Sequence, residues 1–164
     1  MGLFEIALVV SALLCALVAG FVFAFATVVM PGVRGLNDRD FLRAFKTMDG
    51  VIQRNQWAFM LVWLGSILAS LLAVLLSFRH PVGAERFLLV VAAALYLLGV
   101  QLPTATINVP LNNRLQRLDL ESLSDADISV SRTRFEGRWI KWNLIRTVLA
   151  VLSSAMLIVV ALRL

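Results

Sequence analysis

Apolar residues run almost without interruption through four stretches of this chain: Ile6 to Met30, Trp57 to Phe78, Phe87 to Leu111 and Asn143 to Leu162. At helical rise each can cross the roughly 30 Å hydrocarbon layer of a bilayer, which takes about 20 residues. Backbone polar groups cannot go unpaired in lipid and no ten-residue barrel alternation occurs, so the pattern predicts four spanning helices. Between the spans the period changes. In the first connection Pro31, Gly32 and Gly35 read as breakers, after which Phe41, Phe45, Met48 and Ile52 recur at helical spacing, with Asn37 or Asp38 as N-cap. In the third, Ser124 followed by Asp127 is a capping signal, and Ile128, Arg132, Phe135, Trp139, Trp142 and Arg146 fall on one stripe. A helix is expected to start near Asp125 and run unbroken into the fourth span. The middle connection, Arg79 to Arg86, is short, with His80, beside Pro81, read as a solvated turn residue. The expected fold is an all-α membrane protein. It is a single domain over residues 1–164, an antiparallel four-helix transmembrane bundle with amphipathic helical extensions on one side.

Composition agrees with lipid as the solvent: 60% of the 164 residues are hydrophobic and 15% charged. The apolar start from Ile6 to Val29 is too long for a signal-peptide core and no Lys or Arg precedes it. Small residues recur every fourth position at Ala12, Ala16, Gly20 and Ala24, and again at Gly65, Ala69 and Ala73, which lets helices approach closely within the bundle or between protomers. A homo-oligomer is therefore one expectation. With one cysteine, Cys15, and one histidine, the chain cannot build a His/Cys metal site or ligate a haem through two histidines, and no metal or cofactor is expected.

The formal charge of +5 would suggest nucleic acid were it not for where the basic residues lie. Arg34, Arg39, Arg43, Lys46 and Arg54 occupy the first connection, and Arg114, Arg117, Arg132, Arg134, Arg138 and Lys141 the third, so they flank spans on one side. Membrane lipid headgroups are the expected partners and nucleic acid is not. The opposite side has only Arg79, Arg86 and Arg163, so the positive-inside rule places the long connections in the cytoplasm and both termini outside the cell membrane.

Polar residues inside the spans gather at the end carrying the long connections. Gln101, Thr104, Asn108 and Asn112 share a face of the third span, Trp139, Asn143 and Arg146 a face of the fourth, and Gln53, Asn55 and Trp57 mark the start of the second. Pro103 and Pro110 free carbonyls at Gly99 and Thr106, which the hydroxyls of Thr104 and Thr106 or the side chain of Asn108 can satisfy. One pocket at this end is expected, walled by Asn108, Asn112, Trp139 and Asn143. Trp57, Trp139 and Trp142 read either as an interfacial aromatic belt or as stacking surfaces for a ligand. Arg146 either snorkels to the interface or turns inward, toward Asn108, Asn112, the carbonyl freed by Pro110 or an acid such as Asp49.

Val29-Met30-Pro31 closing the first span, Asn108-Val109-Pro110-Leu111-Asn112 closing the third, and Trp139 with Trp142-Asn143-Leu144-Ile145-Arg146-Thr147 opening the fourth resemble the anthrone oxygenase family of small four-span membrane proteins. The resemblance implies a cofactor-independent oxygenase that takes an anthrone to the anthraquinone with dioxygen. Such a site needs donors for an enolate oxygen, for which Arg146, Asn143, Asn108 and Asn112 are the catalytic candidates. Trp57, Thr104, Trp139 and Trp142 are the candidates for binding a lipophilic aromatic ligand. The resemblance leaves the base unassigned.

Two other classes stand beside it: a non-catalytic protein that holds a lipophile or assembles into a larger membrane complex, and a small transporter. A transporter calls for a charge near mid-membrane, and none lies between Trp57 and Phe78 or between Phe87 and Leu111. No nucleotide-binding loop, zinc-hydrolase helix or nucleophile elbow is present. The orientation is checked by a Ser124→Cys variant and an impermeant thiol reagent: labelling is expected only after the cells are permeabilised, and labelling of intact cells would invert the topology.

Overall fold

The computed structural model describes residues 2–80 and 83–164; Pro81 of the middle turn lies outside them. Five helices account for nearly all of it: α1 (Leu3–Val33), α2 (Asp38–Gln53), α3 (Trp57–Ser77), α4 (Ala84–Gln116) and α5 (Asp125–Arg163). α1, α3, α4 and α5 are long and apolar enough to cross a membrane. α1 packs along both α3 and α5, and α4 lies chiefly against α5. Leucines such as Leu13, Leu61, Leu68 and Leu98 face outward, as a lipid solvent requires.

The two capping signals act as expected. Asn37 Oδ1 accepts the backbone N–H of Asp40 at 2.9 Å and starts α2, while Ser124 Oγ accepts that of Asp127 at 3.2 Å and starts α5. From there α5 runs 39 residues without a break, so the amphipathic extension and the fourth span are one rod. The corner between α2 and α3 is tighter than the spacing suggested. Asn55 turns it with φ of 57°, a left-handed conformation that asparagine tolerates better than most residues, and Gln56 Oε1 caps α3 by accepting the Phe59 N–H at 2.7 Å.

Pro31 does not break the first helix. The ladder widens over Phe25–Val29 so that the N–H of Met30 reaches back five residues to Phe25, and α1 continues through the proline to Val33. The same device precedes Pro103, where the Leu102 N–H bonds to Leu97, and Pro110, where the Val109 N–H bonds to Thr104. An extra residue in the turn makes room for the ring that would otherwise strike the carbonyl four residues back. The threonine hydroxyls do not go to the Gly99 and Thr106 carbonyls expected of them: Thr104 donates to the Val100 carbonyl at 2.7 Å and Thr106 to that of Leu102 at 2.8 Å, each four residues back on its own helix.

Inside the bundle, short polar side chains join the helices. Ser11 and Ser70 share a hydrogen bond of 2.9 Å between α1 and α3, Ser66 and Tyr96 one of 2.5 Å between α3 and α4, and Ser153 donates to the Ala92 carbonyl at 2.8 Å between α5 and α4. The small-residue stripes divide. Ala12, Ala69 and Ala73 are buried, and a β-carbon on Gly65 would stand 3.1 Å from Leu14, so these serve close packing within the chain. Gly20 faces outward with open space beside it. His80 is half-buried and stacks on Phe4 at 4.8 Å rather than standing free in the turn.

α2 folds back over the polar end of the bundle, burying Phe41, Leu42 and Phe45 in a second core with Leu115, Ile128 and Phe135. Guanidinium groups hold this cap down. Arg39 donates to the carbonyls of Leu120 and Leu123, and Arg43 meets Glu121 at 2.6 Å, a contact that keeps its guanidinium above the usual range. Arg132 donates to Asp38 at 3.0 Å, to Glu136 at 2.8 Å and to the carbonyls of Arg34 and Leu36 at 2.8 Å each, and lies 4.2 Å over the Phe41 ring. Arg132→Ala removes all of these at a side chain only 13% exposed, and is expected to lower the unfolding free energy by about 2 to 4 kcal/mol. Denaturant unfolding of the detergent-solubilised protein measures it, and a loss within experimental error would mean that α2 docks without this clamp.

Candidate functional site

The polar ends of the helices meet in one cavity of about 300 Å³ to which all five contribute. Its apolar wall is aromatic: Phe21 and Phe25 of α1, Phe45 of α2, Phe59 and Trp63 of α3, and Trp139 of α5. The rings brace one another. Phe59 stacks on Trp63 at 5.2 Å, Phe21 stands edge-on to Phe59 at 5.1 Å, and Phe45 stands edge-on to Trp139 at 5.2 Å. Rings held in this way offer fixed flat faces, and the volume lies at the lower end of the roughly 300 to 1,000 Å³ usual for small-molecule pockets.

The polar wall is built by two hydrogen-bond networks. Asn112 accepts the Trp139 indole N–H at 2.9 Å and donates to Asp49 Oδ1 at 2.8 Å. Asp49, 6% exposed, also accepts from Gln116 at 2.8 Å and Gln53 at 3.2 Å through its other oxygen. Three amides thus surround a carboxylate that has no ion-pair partner among the described residues. About four lone-pair sites exist on such a group, so one stays free.

Across the cavity, Arg146 turns inward and is 4% exposed. It bonds to none of the partners expected from the sequence. Its Nη1 donates to Thr104 Oγ1 at 2.8 Å and its Nη2 to Asn143 Oδ1 at 2.9 Å, while Nε is buried with no partner. No carboxylate lies within ion-pair distance of it among the described residues. Asn108, 2% exposed, has both side-chain polar atoms buried and unpartnered. Buried polar groups are ordinarily satisfied, so unpartnered donors and acceptors on a cavity wall mark where a ligand's polar atoms fit.

Of the expected site residues, Asn108, Asn112, Arg146, Thr104 and Trp139 line this cavity together. Asn143 stands behind the wall, where its amide donates to the Val22 carbonyl at 3.0 Å, next to the widened turn of α1, and its oxygen orients Arg146. Trp57 and Trp142 are not in the wall. Trp57 is 74% exposed because it starts α3 on the wrong face; Trp63, six residues on and about 240° around the helix, takes the place expected of it. Gln101 also leaves the shared face, since the widened turns of α4 shift its phase, and it donates to the Tyr96 hydroxyl at 2.9 Å.

Asp49 is the principal residue that the spacing did not assign to the pocket. Its signal was present: it falls on the Phe41, Phe45 and Ile52 face of α2, where a carboxylate is out of place unless that face meets something polar. Among the described residues no three His, Cys, Asp or Glu side chains come together as a metal-binding cluster.

A family model described as anthrone oxygenase matches residues 48–156, more than half of the chain, taking in Asp49, α3, α4 and the cavity face of α5. No curated protein and no solved structure matches the chain.

Two leucine substitutions separate groups held by the fold from groups left free. Asn112→Leu strips a partner from both the Trp139 indole and Asp49 and is expected to cost about 2 kcal/mol or more in unfolding free energy. Asn108→Leu removes two unpartnered polar atoms and is expected to leave stability unchanged or higher. If both variants lose stability equally in one detergent, Asn108 is a structural residue.

Proposed function

The chain belongs to the anthrone oxygenase family, and on that premise we propose that it oxidises a flat, lipophilic phenolic ketone of the anthrone class with dioxygen in the cavity beneath α2. The observation that carries this reading is Arg146. A cation taken from water into a low-dielectric site is costly unless an anion meets it, and this guanidinium lines the cavity with no carboxylate at ion-pair distance among the described residues. An enolate or phenolate oxygen on an aromatic ring system supplies that anion, while the rings of Trp63, Phe59 and Trp139 accept the flat body.

The chemistry follows from the substrate's own acidity. Loss of a proton from the methylene carbon opposite the ketone gives an enolate spread over three fused rings. Asp49, aligned by three amides with one lone pair free, takes that proton. Arg146 and the Asn108 amide stabilise the enolate oxygen at the other end. The carbanion passes one electron to dioxygen, and superoxide and the carbon radical couple to form a C–O bond. The resulting peroxide is protonated. Removal of the second proton from the same carbon then breaks the O–O bond, expels water and leaves the second ketone. One anthrone and one dioxygen give one anthraquinone and one water, with no metal or organic cofactor taking part.

Oxygen uptake by purified protein in detergent with an anthrone substrate tests this directly. Arg146→Lys keeps the charge but loses the planar fork, and its rate above the spontaneous oxidation is expected to fall on the order of a hundredfold. Asp49→Asn, which preserves the shape but cannot take a proton, is expected to fall by a factor of roughly 100 or more. Tight anthrone binding with no uptake above background would leave a lipophile-binding protein in place of an oxygenase.

A further inference from the structure

We propose that a second site, on the outside of the bundle, holds an anionic phospholipid. It is a groove of about 440 Å³ between the end of α4 and the start of α5, with Leu115, Leu118 and Phe135 in its floor and Arg114, Arg134 and Arg138 on its rim. The three arginines are exposed, and none has a carboxylate within ion-pair distance among the described residues. Unlike Arg34, Arg39, Arg43 and Arg132, which are each paired with an acid, and unlike the equally unpaired Arg54, Arg117 and Lys141, these three share the rim of one groove. Arg134 and Arg138 lie four apart on one helix, where like charges repel, and Arg114 adds a third from the facing helix. Three like charges around one groove repel one another, and an anion among them relieves that repulsion.

Depth and shape decide which anion. Arg114 follows within a turn of Leu111, the last residue of an apolar run, and Arg138 precedes by about a turn the Asn143 that opens the next. The rim therefore lies at headgroup level, with Leu111 on the bilayer side of the groove. A phosphate alone would use only the rim. A phospholipid uses both rim and apolar wall, its phosphate diester forked by the arginines and an acyl chain running past Leu111 into the bilayer. The site is independent of the cavity chemistry, because α5 presents Arg134 and Arg138 outside and Trp139 and Arg146 within.

Native mass spectrometry of the detergent-purified full chain, titrated with phosphatidylglycerol or phosphatidylcholine of matched acyl chains, tests the site. The wild type is expected to retain phosphatidylglycerol in preference. The triple variant R114Q/R134Q/R138Q is expected to lose that preference, with binding on the order of a hundredfold weaker. The control R54Q/R117Q/K141Q removes the same net charge from exposed positions on the same side and is expected to keep it. Should the first triple elute as aggregate, R134Q alone is expected to show a partial loss. Equal loss in both triples, or no preference in the wild type, would overturn the proposal and leave only diffuse attraction of a basic surface for lipid.

Discussion

Hydrocarbon offers no hydrogen bonds, and most polar atoms carried into the bundle find their partners within the protein. Serine and threonine hydroxyls return to carbonyls of their own helix or join neighbouring helices, and Asn143 spends its amide on a carbonyl of α1. Against that thoroughness the exceptions carry meaning. Asn108 and the Nε of Arg146 stand unpartnered around one cavity, opposite a carboxylate that is solvated by amides instead of a cation. Keeping Asp49 and Arg146 on separate walls, when a direct ion pair would neutralise both, leaves a polarised space between them. A fold selected for stability alone would have closed it.

α2 makes that space possible. A bundle of four apolar rods would end in water at this face, and the cavity would be a wet funnel. By laying Phe45 across the top and lowering Asp49 from above, α2 gives the cavity a roof. The arginine clamp is strong where Arg39 makes charge-assisted bonds to the partly buried carbonyls of Leu120 and Leu123 and weak where it uses exposed pairs such as Arg43 with Glu121.

Most of the architecture was legible in the chain because its signals are long and local. Apolar runs of spanning length, two capping residues and a continuous stripe from Ile128 to Arg146 located every helix and the continuity of α5. The meeting of Asn108, Asn112 and Trp139 in one pocket followed from helical phase, which left Arg146 open between snorkelling and turning inward. What escaped had a non-local cause. Trp63 and Phe59 enter the wall because of how α3 is rotated against α1, and Asp49 because α2 folds back over the bundle, neither of which has a period in the sequence. Gln101 was misplaced for a different reason: counting at 3.6 residues per turn fails wherever the turn holds an extra residue.

That extra residue makes each proline half of a two-part device. In angular terms, a residue added to a helix without adding a turn rotates everything beyond it by about 100° relative to an unbroken helix. α4 contains two such steps, before Pro103 and before Pro110, so the wall carrying Asn112 has been dialled around relative to the segment that packs beneath it. The prolines act as set screws, holding the dial where a regular ladder would otherwise re-form and turn Asn112 away from Asp49. The chemistry of the polar end is therefore indexed to residue count, and an insertion or deletion in α4 would misalign the cavity while leaving a perfectly good membrane span.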